Sequence, residues 1–258
     1  MNKHIKKEII SNNICVISLS RLPVNALSFD LLFSLRIVFE EINDDKKIKV
    51  VILKSSIKHF SAGADLKERK IMSKTDSGKA LDNFNECFSV IEKLAIPSIC
   101  IINGYCLGGG AEMALSFDFR IGVNGCTVGF PEVSIGIIPG AGGTQRLPRA
   151  VGLSHAKYWI YTAKKFNSQE SYNYGFLDFI SDESSSLDLA ISIANNIIAN
   201  APIAVRSAKK AINDGYNKDI SFGLDIERES YNTCLNTKDR DEALDAFINK
   251  RKPKWSNE

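Results

Sequence analysis

Several residue types are scarce or absent in the places where they would carry chemistry. There are three histidines, His4, His59 and His155, scattered along the chain with no metal-ligand spacing, so a metal site is not expected. The six cysteines, Cys15, Cys87, Cys100, Cys106, Cys126 and Cys234, form no C-x-x-C pair. Most sit in apolar surroundings, the usual setting of free core thiols. No G-x-S-x-G occurs and no cysteine lies in a recognisable nucleophile motif, which argues against a hydrolytic triad. No apolar run is long enough to span a bilayer. The net charge is only +3, a weak argument against a nucleic-acid or membrane role. The stretch M-N-K-H-I-K-K-E-I-I is charged and has no signal-peptide apolar region, so a cytoplasmic location is expected.

What is present suits a soluble globular protein: 258 residues, 44% hydrophobic and 24% charged. Such a length allows one large domain or a domain with an appendage, and its core needs no disulfides. Two β-rich runs between Glu8 and Ser20, split by Asn12-Asn13, read as a hairpin. Ser28 can cap a helix from Phe29 to Asn43 with an apolar stripe of Leu31, Leu32, Leu35, Val38, Phe39 and Ile42. Val50 to Leu53 and Ile99 to Ile102 are compact apolar strands, and Lys79 to Leu94 reads as the helix between them. Short strands are expected at Phe119 to Val123, Thr127 to Phe130 and Phe176 to Ile180. One helix is expected to run from a Ser154 cap to Tyr161, and another from Ser168 to a Gly175 stop. From Leu187 the period is helical to the end: Leu187 to Asn200, Ala204 to Asp214, Ser221 to Leu235 and Lys238 to Lys250. The reading is an α/β body over 1–186 and a helical region over 187–258.

The central stretch is Ile99 to Glu132. After the buried strand, Asn103 and Gly104 break the run, and Gly108, Gly109 and Gly110 open a helix-forming segment, Ala111 to Phe117. The first N–H groups of a helix have no partner inside it, and that end carries partial positive charge. Glycine leaves such groups open to close approach, so an oxygen gaining negative charge is stabilised there. A lone G-G-G is more often an ordinary tight turn followed by an exposed glutamate. The loop Ser61 to Leu66, bent at Gly63, has the same form: buried strand, glycine, helix-friendly L-K-E-R-K. Two such turns can aim two N–H groups at one oxygen. Glu112 lies about one helical turn after Gly109, and Glu132 follows Pro131 at the end of an apolar strand. If they face each other, two opposed carboxylates suit acid–base work on a water molecule, because like charges held close raise one pKa.

Taken together, F-S-A-G-A-D-L-K-E, N-G-Y-C-L-G-G-G-A-E and F-P-E-V-S-I-G-I-I-P-G-A-G-G-T-Q-R-L resemble the crotonase, or enoyl-CoA hydratase/isomerase, family. Weaker similarity covers nearly the whole chain, including N-A-L at Asn25 to Leu27 and T-K-D-R-D-E-A-L-D-A-F-I-N-K-R near the end. The resemblance implies a crotonase-like ββα spiral with a C-terminal helical trimerisation region, assembled as a homo-hexamer, a dimer of trimers. It implies an oxyanion hole at the N–H groups of Ala64 and Gly109, with Glu112 and Glu132 as catalytic acids. Gly140 matches a position whose backbone helps hold the water. Ala62, Gly63, Asp65, Leu66 and Lys67 would contact the CoA moiety, and Phe247 and Lys250 would reach the CoA of a neighbouring subunit. The implied substrate is an acyl-CoA, with no metal or other cofactor.

Both acids being present favours hydration of 2-trans-enoyl-CoA to 3-hydroxyacyl-CoA, since isomerases of the family commonly keep only the acid matching Glu132. A-D-L-K-E-R-K and the end segment also resemble methylglutaconyl-CoA hydratases. Such a substrate would want a basic group in the acyl pocket, and the sequence does not show which residue lines it. Lys67, Arg69 and Lys70 form a short basic patch, but it is mixed with acids and reads as a phosphate contact or a solvated face, not as an RNA site. Ala163 stands where the family frequently has glycine.

Overall fold

The hairpin forms as the sequence pattern implies: β1 (Ile5–Ile10) and β2 (Ile14–Leu19) pair antiparallel around a turn in which Asn12 and Asn13 take positive φ. The structure, a computed structural model, describes residues 2–258, and Met1 lies outside them. α1 (Phe29–Asp44) follows, with the Ser28 side chain accepting from Leu31 N. Its six stripe residues are all buried. Next come β3 (Val50–Ser55), α2 (Leu66–Ile71) and α3 (Lys74–Glu92). α3 starts five residues earlier than its apolar stripe indicates, because Ser73 caps it.

A strand–strand–helix unit then repeats. β4 (Ser98–Ile102) leads to β5 (Tyr105–Leu107) and α4 (Gly109–Ala114). β6 (Phe119–Val123) leads to β7 (Thr127–Gly129), a short 3-10 turn (Glu132–Ile135) and α5 (Gly143–Val151). In each unit the first strand joins a six-stranded sheet, ordered β1-β2-β3-β4-β6 and then β9 (Phe179–Ser181). The second strand joins a three-stranded sheet of β5, β7 and β8 (Lys165–Asn167). From β2 onward the large sheet is parallel. Parallel strands must be covered on both faces, which explains the unbroken apolar runs of β3 and β4. This repeat agrees with the ββα spiral that the resemblance implies.

α6 (Leu153–Thr162) and α7 (Ser168–Asn173) complete this part of the chain. The expected Ser154 cap is not formed. α6 begins two residues earlier, after Gly152, and Ser154 lies inside it. α7 is capped by Asn167 in a reciprocal capping box with Glu170, and Gly175 follows it with positive φ. The last strand is displaced to Phe179–Ser181, because Phe176 and Leu177 turn into the core instead. There Trp159 stacks on Phe166, with ring centroids 4.0 Å apart, and Phe176 lies beside them. Five of the six cysteines are buried and all are free.

The helical remainder comprises α8 (Ser186–Ile198), α9 (Pro202–Gly215), α10 (Ile220–Leu235) and α11 (Lys238–Ile248). Pro202 opens α9, where its missing N–H has no intrahelical partner to lose. The chain divides into two compact units. The larger ends at Ile191, and the smaller is Ala95–Pro97 with Ser192–Glu258. No single helix is long and apolar enough to cross a membrane.

Candidate active site

Ala64 is presented by a strand-like loop. Leu27 N donates to Gly63 O at 2.8 Å and Asp65 N to Leu27 O at 3.2 Å. Successive amides of an extended chain point to opposite sides, so the Ala64 N–H faces away from Leu27. Asn25 pins this loop. Its Nδ2 donates to Ser55 Oγ, His59 O and Phe60 O, and its carbonyl accepts from Ser61 Oγ. Gly63 has φ +91°, and a Cβ there would stand 2.7 Å from Leu107 O and 3.1 Å from Gly109 N. The two glycine turns are therefore packed backbone to backbone.

Gly109 is the first residue of α4, and Gly108 N is already bonded to Gly129 O. A Cβ on Gly109 would lie 3.6 Å from Ala64 N. Among the described residues, neither Ala64 N nor Gly109 N has a protein acceptor. Two unspent amides from separate loops thus sit within one small region, the arrangement that stabilises a developing oxyanion.

Glu112 is 3% exposed, one turn into α4. Its Oε1 accepts from Ala141 N and Gly143 N, both at 2.8 Å. The P-G-A-G-G segment is therefore a clamp on this carboxylate. Gly143 is required there, since a Cβ would meet Glu112 Oε1 at 2.9 Å and Pro139 Cβ at 2.7 Å. Arg146 steadies the clamp by donating to Ala141 O while pairing with Glu92. Burial raises the Glu112 pKa, and the two amides, with Arg146 and Arg69, partly offset that rise.

Glu132 is 8% exposed and opens the 3-10 turn after β7. Its Oε1 lies 2.9 Å from where a Cβ on Gly108 would be, so it borders the same glycine turn. Its Oε2 is buried without a hydrogen-bond partner. Burial pushes its pKa up to about 7; its own backbone amide opposes this and the Glu112 charge adds to it. A buried, unpartnered carboxylate oxygen is a rare and costly feature that marks a site built for something other than the fold.

The sequence alone did not single out Ala141 and Gly143 as the donors to Glu112, nor Phe84, whose ring edge covers Gly109. The glycine cluster was the available signal for the first two. Gly140 N is not among the Glu112 donors, and its carbonyl accepts from Asn85 at 3.4 Å. Of the residues expected at CoA, Ala62 donates its N–H to Val24 O, and Gly63 donates its own to Ser61 Oγ. The Asp65 carboxylate pairs with Arg21 at 2.7 Å and caps α2 through Lys67 N and Glu68 N. Leu66 and Lys67 are exposed. Phe247 and Lys250 belong to the smaller unit, and Phe247 is 84% exposed. Among the described residues no group of three or more His, Cys, Asp or Glu could hold a metal ion.

Residues 9–258 match the family model described as enoyl-CoA hydratase/isomerase. The chain belongs to that family. It is 40% identical to the short-chain-enoyl-CoA hydratase of Clostridium acetobutylicum over 93% of this chain and 92% of that one. It is 37% identical to the mitochondrial methylglutaconyl-CoA hydratase of Mus musculus, over 99% of this chain and 83% of that one. The crystal structure of an enoyl-CoA hydratase from Bacillus anthracis superposes with a TM-score of 0.97 at 40% identity, covering 99% of this chain and all of that one.

Proposed function

We propose that this enzyme is a hydro-lyase that adds water reversibly to a 2-trans-enoyl-CoA, giving the 3-hydroxyacyl-CoA. The observation that carries the reading is the pair of buried acids beside two unspent amides, with Glu132 Oε2 unpartnered. The thioester carbonyl accepts from Ala64 N and Gly109 N. As water attacks C3, charge moves to that oxygen as an enolate, and the preorganised donors bind it more strongly than the ground state. Each such donor contributes about 3 kcal/mol to lowering the barrier. Glu112 and Glu132 orient the water; one takes its proton and one supplies the proton to C2. Gly140 contributes backbone to the water site. The residues 62–67 take the CoA moiety, with Phe247 and Lys250 reaching the CoA of a neighbouring subunit in a dimer of trimers. No metal or redox group takes part, and the location is cytoplasmic.

Glu112→Gln and Glu132→Gln each remove a proton-carrying group while keeping its shape. Each is expected to lower crotonyl-CoA hydration by about 10²-fold or more, with binding of a saturated acyl-CoA retained by calorimetry. Near-normal turnover in either variant would end the two-acid mechanism. An isomerase reading needs only Glu132. The amide clamp that orients Glu112 and the similarity to hydratases favour hydration over it.

A further inference from the structure

His59 stands in the loop that leads to Ala64, and Tyr105 opens the strand that leads to Gly109. The two segments run side by side as a short parallel ladder. Ser61 N donates to Tyr105 O at 2.9 Å, and Leu107 N donates to Ser61 O at 3.0 Å. The next bond of such a ladder would run from Tyr105 N to His59 O. It is not made. His59 O accepts from Asn25 Nδ2 instead, at 3.0 Å. Tyr105 N turns to the His59 side chain and donates to Nδ1 at 3.1 Å. The imidazole therefore completes the ladder in place of its own carbonyl. Stacking fixes the ring in that position: its centroid lies 4.5 Å from that of Tyr105, with the planes 6° apart. Gly104 allows the close approach, since a Cβ there would stand 2.5 Å from Nδ1 and 2.3 Å from Lys58 O.

A backbone N–H can only donate, so Nδ1 must offer its lone pair and the ring proton must sit on Nε2. Protonating the ring would set one N–H against another and break this rung. Burial, and then the Lys58 charge, hold the imidazole below its ordinary value of 6.5. The titratable group in contact with the ring is the Tyr105 phenol. A second cation faces the pair from β8, where Lys165 Nζ lies 5.6 Å from the Tyr105 ring centroid. We propose that neutral His59 is a positioning residue for the oxyanion hole: by accepting from Tyr105 N it keeps the two segments in register, and so sets Ala64 N beside Gly109 N. Protonation of His59 parts them. The residue acts through the two loops and not on the thioester itself. This proposal rests on the reading of those two amides as the oxyanion hole of a hydratase.

The test measures crotonyl-CoA hydration from about pH 5 to about pH 8 in the wild type, His59→Phe and His59→Asn. Phenylalanine keeps a stacked ring and removes the acceptor. Asparagine keeps an acceptor that does not titrate in this range. At about pH 8, His59→Phe is expected to lose kcat by about ten- to a hundredfold. KM should change little, because misplaced oxyanion donors fail in the transition state. His59→Asn should recover most of the loss. Glu112 and Glu132 titrate in all three proteins, so the ratio of kcat in His59→Asn to kcat in the wild type isolates His59. That ratio is expected to be flat above about pH 7 and to climb as pH falls below 6.5. Unchanged kcat in His59→Phe, or a ratio that stays flat throughout, overturns the proposal. Should His59→Phe fail to fold, the ratio decides alone. Hydrogen exchange followed by mass spectrometry over residues 102–108 reads the rung without activity: exchange must be faster in His59→Phe than in the wild type, and equal exchange refutes the contact. A wild type inactive on 2-enoyl-CoA thioesters would end the hydratase reading, while faster exchange in His59→Phe would still uphold the rung.

Discussion

Burial of the Glu132 carboxyl group opposes folding. The folded-state pKa is raised from 4.5 to about 7, chiefly by burial. Below 4.5 the carboxyl is protonated in folded and unfolded chains alike, and its pKa shift adds nothing. Between 4.5 and 7 the unfolded chain ionises first, so stability falls as pH rises, and above 7 the penalty is complete. Its size is on the order of 2–4 kcal/mol. Glu132→Gln is therefore expected to melt several degrees higher than the wild type at pH 8, with the gain vanishing near pH 4.5, by thermal unfolding across pH. A variant that is less stable at pH 8 would contradict the assigned burial penalty. Glu112 differs because Ala141 and Gly143 hold its Oε1. Gly143→Ala pushes a methyl into that oxygen and should cost activity of the same order as Glu112→Gln, checked by steady-state hydration. The two acids stood out in the sequence because each adjoined a glycine or proline break. Their amide partners did not, because a backbone N–H is present at nearly every residue and only its direction distinguishes it.

At the scale of elements, the site depends on two glycine turns held against each other. Gly63 combines φ +91° with a Cβ position 2.7 Å from a carbonyl oxygen, and neither can relax cheaply. Gly63→Ala is expected to lower stability by about 2 kcal/mol or more, and to lower kcat further by parting the two amides. Denaturant unfolding and turnover measured on the same preparation check both effects. Ala163 offers the opposite case. It closes α6 in the left-handed conformation, φ +51°, where glycine carries no steric penalty. Ala163→Gly is expected to stabilise the protein by up to about 1 kcal/mol, read as a higher denaturation midpoint with activity intact. The long elements were legible because their apolar stripes repeat. β5 was not, because three residues between Gly104 and Gly108 carry too little periodicity to separate a strand from a turn. α5 was hidden by Pro148, which sits inside it although proline normally breaks helices.

At the scale of the whole molecule, the helical region leaves large apolar side chains in water. Ile220, Phe222 and Leu224 on α10, and Phe247 and Ile248 on α11, are all more than half exposed. Large exposed apolar side chains of this kind suit an interface. With the proposed dimer of trimers, light scattering is expected to give a mass near six times 28.5 kDa. Phe222→Glu together with Leu224→Glu should yield smaller species, and a wild-type monomer at micromolar concentration would refute the assembly.

The sequence by itself determined the α/β body with its helical end, the two glycine turns and the two acids, because hydrophobic period and turn chemistry act over a few neighbouring residues. Only the tertiary structure decided that the Ala64 and Gly109 amides lie close together without protein acceptors, that Glu112 is clamped while Glu132 keeps an unpartnered oxygen, and that Arg69 lies over the Phe84 ring. Those outcomes depend on direction and distance between residues far apart in the chain, and such quantities exist only once the loops are packed.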